Sequence, residues 1–390
     1  MTRKPNKTAI GNRLFQSDQR KGQIVPIASA SVMEAKEQNT SPSHFVGQGW
    51  QISATALIAI RFVQGWIYWG GGSRRFIYAP QKLDPHAGHW MAYKFQTAMP
   101  GALLGTGHII SFMLQHFNLL YAQLVIFSAV ELLDGAMLMT GLFTRLAALI
   151  SVLLAFVLML LFGWQGATCI DEWTIAASSF AMGVTLFLAG SGSYSLDQVL
   201  LRKNPSLSDK KWYRWLSGSF PLPLSDQAFS KLALAFTGIT IVFVVSTYSY
   251  YRGSVFTPFH GGPVSPANHH VSLSNAFLST DGSVRVHLYV DAGTPADPMH
   301  IIDARLLNKS GHVVEKWDGN TLKSLSRNQF KNDYAYQKVL PSKTYGFQGG
   351  VGSKATVFLT GQHTVPVSGK IYRLEFTSIN DHHWSIALAH

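Results

Sequence analysis

The chain has 390 residues, 47% of them hydrophobic, 12% aromatic and only 13% charged, against about 25% charged in ordinary soluble domains. A single cysteine, Cys169, excludes an intramolecular disulfide and any zinc or iron–sulfur centre built on several cysteines. The net charge of +12 arrives without a basic helix or RNA-binding motif, so it points away from nucleic acid and toward a membrane.

Residues 1–48 are polar and basic with no apolar period and no signal-peptide pattern, so a disordered cytoplasmic tail is expected there. Stretches at about 53–72, 121–141, 144–163 and 173–191 are each long and apolar enough to cross a hydrocarbon core of about 30 Å, which takes roughly 20 helical residues. Together they make a four-span membrane unit over 49–200. A basic, proline-containing linker at 201–230 leads to a fifth span at 231–250. The stretch 98–117 is also apolar, but His108, His116, Pro100 and three glycines suit an interfacial or re-entrant helix.

Lysine and arginine counts set the expected topology. With the N-terminus inside, seven fall in 1–52 and six in 192–231, against four in 73–120 and none in 164–172. That asymmetry is what the positive-inside rule requires of a cytoplasmic membrane protein with its N-terminus in the cytoplasm. It puts the 164–172 loop and everything after the fifth span on the extracytoplasmic, periplasmic side. Residues 251–390 read as β: Val284, Val286, Leu288 and Val290 alternate with polar partners, and ATVFL (355–359) and KIYRLEFTSI (370–379) follow between turn-rich segments. The fold class expected is a membrane α-helical bundle of four spans plus a linking fifth, with a C-terminal all-β, sandwich-like domain. GGVGSK (349–354) lacks P-loop spacing and reads as a turn.

Several side chains stand out within this frame. Cys169, followed by Asp171 and Glu172, sits at the outer lip between two apolar runs. As a reactive thiol it would have the two acids as proton acceptors; alternatively it is a small buried residue at a helix end. Arg61 is an ionisable residue inside the first span, and Glu131 in the second lies at a similar apparent depth, with Asp134 one turn on. The two are expected to pair, as a structural ion pair or as part of an anion site. Arg74, Arg75, Lys82, His86, His89, Lys94 and His108 collect in the outer loop, where arginines suit oxyanion capture and individual residues suit headgroup contacts. Trp66, Trp69 and Trp173 belong either to an interfacial aromatic belt or to the wall of an apolar pocket. Ten of the fifteen histidines lie in 251–390 and read as surface residues; no metal site is assigned.

Arg61 with Gly65, then ELLDGAMLMTGLFTR (131–145), then GSGSYSLD (190–197) resembles the DoxX/DoxD membrane proteins. A DoxD-like part followed by one more span and a β domain is similar to the fused DoxD/DoxA type of thiosulfate:quinone oxidoreductase of acidophilic sulfur oxidisers, over about residues 50–390. The resemblance implies oxidation of two thiosulfates to tetrathionate with electrons passed to a membrane quinone, the quinone serving as electron-accepting substrate. No flavin, haem or metal fingerprint is evident in the sequence. Under this resemblance Cys169, Asp171 and Glu172 are the candidate catalytic residues. Arg61, Arg74, Arg75, Lys82, His86, His89 and His108 are candidates for thiosulfate, and Trp66, Trp69, Glu131, Asp134 and Trp173 for quinone. The expected partners are thiosulfate, quinone and the lipid bilayer, with a homo-oligomer left open. Two other readings compete: a quinone reductase acting on a different sulfur compound, and a non-catalytic membrane scaffold whose spans anchor a partner-binding β domain.

Overall fold

Apolar runs of the right length become helices that bury one face against each other and leave the other for lipid. The computed structural model describes residues 42–78, 80–165, 171–252, 269–366 and 370–389; of the tail expected over 1–48, the part before residue 42 lies outside them, and 42–48 are not disordered but form the start of a helix continuous with the apolar residues that follow. The chain divides into Met1–Phe45, described only from Pro42, and Val46–His390. Helix α1 (Pro42–Ala56) is separated by a break at Leu57 from α2 (Ile58–Ser73), which runs on into a π-helical turn at Arg74–Tyr78. A short 3-10 turn at Pro80–Lys82 precedes α3 (Met91–Ala98) and α4 (Thr106–Gln115). Then come α5 (Phe117–Thr140), α6 (Thr144–Phe162) and α7 (Glu172–Ala189), followed by α8 (Leu196–Lys203), α9 (Lys211–Leu216) and the long α10 (Asp226–Arg252).

Among the described residues four helices, α5, α6, α7 and α10, are long and apolar enough to cross a membrane, and the protein is a multi-pass membrane protein. The first expected span, 53–72, is different. The break at Leu57 leaves α2 with 16 residues, about 24 Å at 1.5 Å per residue, short of a full crossing by itself. The ten residues of α4 span only about 15 Å, so the 98–117 stretch does not cross as one helix.

Helices α2 and α5 run antiparallel in close contact, and glycines set the closeness. A Cβ on Gly65 would sit 2.7 Å from Met139 Cγ, and one on Gly135 would meet the backbone of Trp69 and lie 2.6 Å from the Gly65 carbonyl oxygen. Small residues at such crossings let transmembrane helix backbones approach. One end of the bundle is tied by buried charges. Arg61 donates to the carbonyls of Ser191 and Tyr194, both at 2.7 Å. Arg145 donates to Phe187, Ser217 and Phe220 carbonyls at 3.0, 2.7 and 2.5 Å. Asp197 accepts from the amides of Phe143, Thr144 and Gly218 at 2.7, 3.1 and 2.7 Å, so it caps the start of α6. Burial pushes the Asp197 carboxyl up, an effect that the three amide donors offset only in part. The segments that carry the DoxX/DoxD resemblance therefore converge on one network.

The C-terminal part is built of antiparallel strands. A four-stranded sheet runs β1 (His270–Leu278), β2 (Val284–Ala292), β8 (Lys354–Leu359), β5 (Phe330–Asn332). A second sheet runs β10 (His383–Ala387), β9 (Tyr372–Ser378), β3 (Met299–Asn308), β7 (Phe347–Gly349), β6 (Leu340–Pro341), with β4 (Val313–Trp317) also paired to β3. A short helix α11 (Gly319–Ser324) follows β4. Val284, Val286, Leu288 and Val290 are all buried, as their alternation predicts. Inward residues of both sheets share a core, with the Phe330 and Phe347 rings 5.6 Å apart. That core continues into the helical part through Met159, Trp164 and Ala176.

Candidate functional site

One face of α5 carries Gln123, Phe127 and Glu131 at four-residue intervals, so all three project to the same side. They open onto a cavity of about 540 Å³ enclosed by the π-helical turn, α3, α4, α5 and α6. Its polar lining residues are Arg75, Lys82, His89, Lys94, Gln123 and Glu131. The rest is apolar, with Ile109, Phe112 and Met113 from α4, Phe127 from α5, and Leu158 and Phe162 from α6.

The π-helical turn after the Gly70–Gly72 run swings Arg75 to this face, and such turns frequently mark functional sites. Its guanidinium pairs with the Glu131 carboxylate, reaches Ser128 Oγ at 3.4 Å and lies 5.9 Å from the centre of the Phe127 ring. Lys94 Nζ lies 2.6 Å from Glu172 Oε1 and 5.2 Å from the Phe162 ring centre. Partial burial, and then the like charges of Arg74, Arg75 and Lys94, hold the Lys82 ammonium below the ordinary lysine range. Lys82 therefore gives up its proton more readily than a free lysine. Three cations and a histidine face one or two carboxylates here, an arrangement suited to a small anion beside an apolar guest.

The expected Arg61–Glu131 pair does not form. In the antiparallel α2–α5 pair Arg61 is level with Gly141 and Gly71 with Glu131, so ten residues of helix, about 15 Å, separate the two charges. Arg61 is committed to the Ser191 and Tyr194 carbonyls and does not reach the cavity. Of the other expected anion ligands, Arg75, Lys82 and His89 line the cavity, whereas Arg74, His86 and His108 are exposed and do not. Among the expected quinone contacts Glu131 is in the lining. Asp134 is buried one turn away and accepts from Ser151 Oγ at 2.7 Å. Trp66 is 57% exposed and stacks on Phe62, Trp69 backs onto α5, and Trp173 fastens α7 to α10 through Thr247 at 3.0 Å and the Tyr248 ring. Asp171 caps α7, accepting from Thr174 N at 2.9 Å, while Glu172 reaches the cavity's edge through Lys94. Cys169 lies outside the described residues. Residues not singled out from the sequence include Gln123, Phe127, Phe112 and Phe162; the four-residue stripe on α5 was the available signal. Among the described residues no three His, Cys, Asp or Glu side chains gather as a metal site would require.

Among the described residues, four helices long and apolar enough to cross a membrane, a two-sheet β domain, and a mostly apolar cavity carrying a few cations between α3, α4, α5 and α6 are the make-up of a multi-pass membrane protein. Residues 56–225 match the family described as TQO small subunit DoxD, and residues 251–387 the family described as TQO small subunit DoxA, TQO being thiosulfate:quinone oxidoreductase. The chain belongs to the DoxD and DoxA families, fused in one polypeptide.

Proposed function

We propose that the protein oxidises two thiosulfates to tetrathionate and reduces a membrane quinone in the cavity between α3, α4, α5 and α6. The observation that carries this reading is a mostly apolar cavity whose lining also gathers three cations, Arg75, Lys82 and Lys94. The reaction balances as two thiosulfate dianions, one quinone and two protons giving one tetrathionate dianion and one quinol. Two dianions repel each other, and the net positive charge of Arg75, Lys82 and Lys94, two of which also face Glu131 and Glu172, reduces that cost before the sulfur–sulfur bond forms. An apolar wall with a few polar anchors at one end suits a quinone ring and its carbonyls. Lys82, with its eased proton release, is the candidate proton donor to the reduced quinone. In this reading the cationic residues of the cavity and the β domain face the extracytoplasmic side of the cytoplasmic membrane, as the lysine and arginine distribution favours.

Cys169, two residues before Asp171, is assigned the sulfur-carrying step. Its thiolate joins the sulfane sulfur of one thiosulfate as two electrons pass to quinone. A second thiosulfate then attacks that sulfane sulfur, releasing tetrathionate and regenerating the thiolate. The test is thiosulfate-dependent reduction of a soluble quinone by the purified protein, with tetrathionate quantified and sulfite and sulfide run as alternative donors. Folded protein with no thiosulfate turnover would refute the assignment. A Cys169→Ser variant is expected to lose turnover; full activity would remove the covalent step alone.

A further inference from the structure

The cavity has a roof, and the β domain holds it. Helix α3 presents two faces: Met91, Lys94 and Phe95 line the cavity, while Tyr93, Gln96 and Thr97 meet the loop between β5 and β6. Gln96 is fully buried at this junction. Its side-chain amide donates to the Gln337 carbonyl at 2.9 Å and the Gly352 carbonyl at 3.1 Å, and its Oε1 accepts from the Gln337 amide at 2.8 Å. The Gln337 side chain in turn donates to Thr97 Oγ1 and lies 3.5 Å from the Tyr93 carbonyl. Three residues earlier in the same loop, Tyr334 Oη shares a 2.6 Å hydrogen bond with Ser111 Oγ of α4, whose neighbours Ile109, Ile110, Phe112 and Met113 line the cavity. Gly352 (φ +87°) packs so closely that a Cβ there would run into the Gln96 carbonyl. One loop of the β domain thus grips both roof helices.

A buried amide left without partners is costly, so Gln96 is satisfied only in this one docked arrangement. We propose that the loop at residues 333–337 positions α3 and α4 over the cavity, so that the β domain sets where Lys94 and the Ile109–Met113 wall meet the quinone. The inference rests on the reading of the cavity as the quinone site, and it makes Gln96, Tyr334 and Gln337 positioning residues rather than catalytic ones.

The experiment compares full-length wild type with Tyr334→Phe, Gln337→Ala and Gln96→Ala, each confirmed folded by melting in detergent. Amide hydrogen exchange over residues 106–115 reads the roof without any ligand, quenching of tryptophan fluorescence reads affinity for a soluble short-chain quinone, and turnover gives KM and kcat. The expected result is faster exchange in α4, with KM for quinone raised and kcat/KM lowered roughly ten- to a hundredfold in Gln96→Ala, as a displacement of about 1 Å would give. kcat at saturating quinone changes much less, and Tyr334→Phe shows the smallest effect. A purely structural role lowers the yield of folded protein and leaves KM alone, so folded variants with wild-type quinone affinity overturn the proposal. If Gln96→Ala does not fold, the two milder variants decide. Should wild type bind quinone but not oxidise thiosulfate, the functional reading fails while the fluorescence and exchange data still judge the positioning role.

Discussion

Lys94→Met separates the cavity reading from a general effect of surface charge. The Lys94 and Glu172 side chains are 49% and 27% exposed, and an ion pair so open to water contributes about 0.2–1 kcal/mol, with the contact to Phe162 adding a similar amount. Stability should therefore fall by only about 1 kcal/mol. The loss to substrate is larger. At a contact distance of about 4 Å a unit charge pair is worth about 1 kcal/mol even in bulk water, and a dianion doubles it to about 2 kcal/mol. At 1.36 kcal/mol per decade this is roughly a thirtyfold rise in KM for thiosulfate. The assay is initial rate against thiosulfate at several ionic strengths, with quinone saturating. The variant should also show a shallower salt dependence, because one screened charge has gone. Lys203→Met, at the exposed end of α8 and outside the cavity lining, is the control. If Lys203→Met raised KM as much as Lys94→Met, or if Lys94→Met left KM unchanged, the anion would bind elsewhere.

Arg61→Leu deprives the Ser191 and Tyr194 carbonyls of charged donors and should cost about 3 kcal/mol or more of stability, read as a lower melting temperature in detergent with unchanged KM for the folded fraction. A selective change in thiosulfate KM would instead return Arg61 to the substrate site. Gly135→Ala drives a methyl group into the Trp69 backbone; because backbone cannot yield as a side chain can, a loss of about 1–3 kcal/mol is expected, and an unchanged melt would mean α2 and α5 pack less closely than described. Asp318 caps α11, accepting from Thr321 N at 2.8 Å, and its carboxyl is held below the ordinary 3.8 by that amide and by the Thr321 hydroxyl. The sign follows from a depressed folded-state pKa: the cap's contribution is complete above 3.8 and disappears as pH falls through the lower folded value. Asp318→Ala should therefore melt below wild type near neutrality, by about 1 kcal/mol of stability, and the two should converge in strong acid; a gap that persists there would rule out the carboxylate as the source.

The elements were legible wherever the signal is local. Helices α5, α6, α7 and α10 follow from apolar length, and β2 follows from the alternation of Val284 to Val290. The cationic part of the cavity lining was half legible, because Arg75, Lys82, His89 and Lys94 fall in one short stretch of chain, but no local rule tells Arg75 from Arg74. The π-helical turn decides that, by rotating one arginine toward α5 and leaving its neighbour in solvent. Gln96 and Gln337 carried no signal at all, lying 241 residues apart and meaning something only in contact.

By itself the sequence determined a membrane bundle followed by β structure, since hydrophobic length and period are properties of neighbouring residues. Only the tertiary structure decided the partner of Glu131. Arg61 and Arg75 both lie on the first helical stretch, and the register of α2 against α5, fixed by glycine contacts between distant turns, brings Arg75 to the carboxylate and leaves Arg61 about 15 Å away. Charges choose partners by distance in space, and a one-dimensional pattern of depths does not contain that distance.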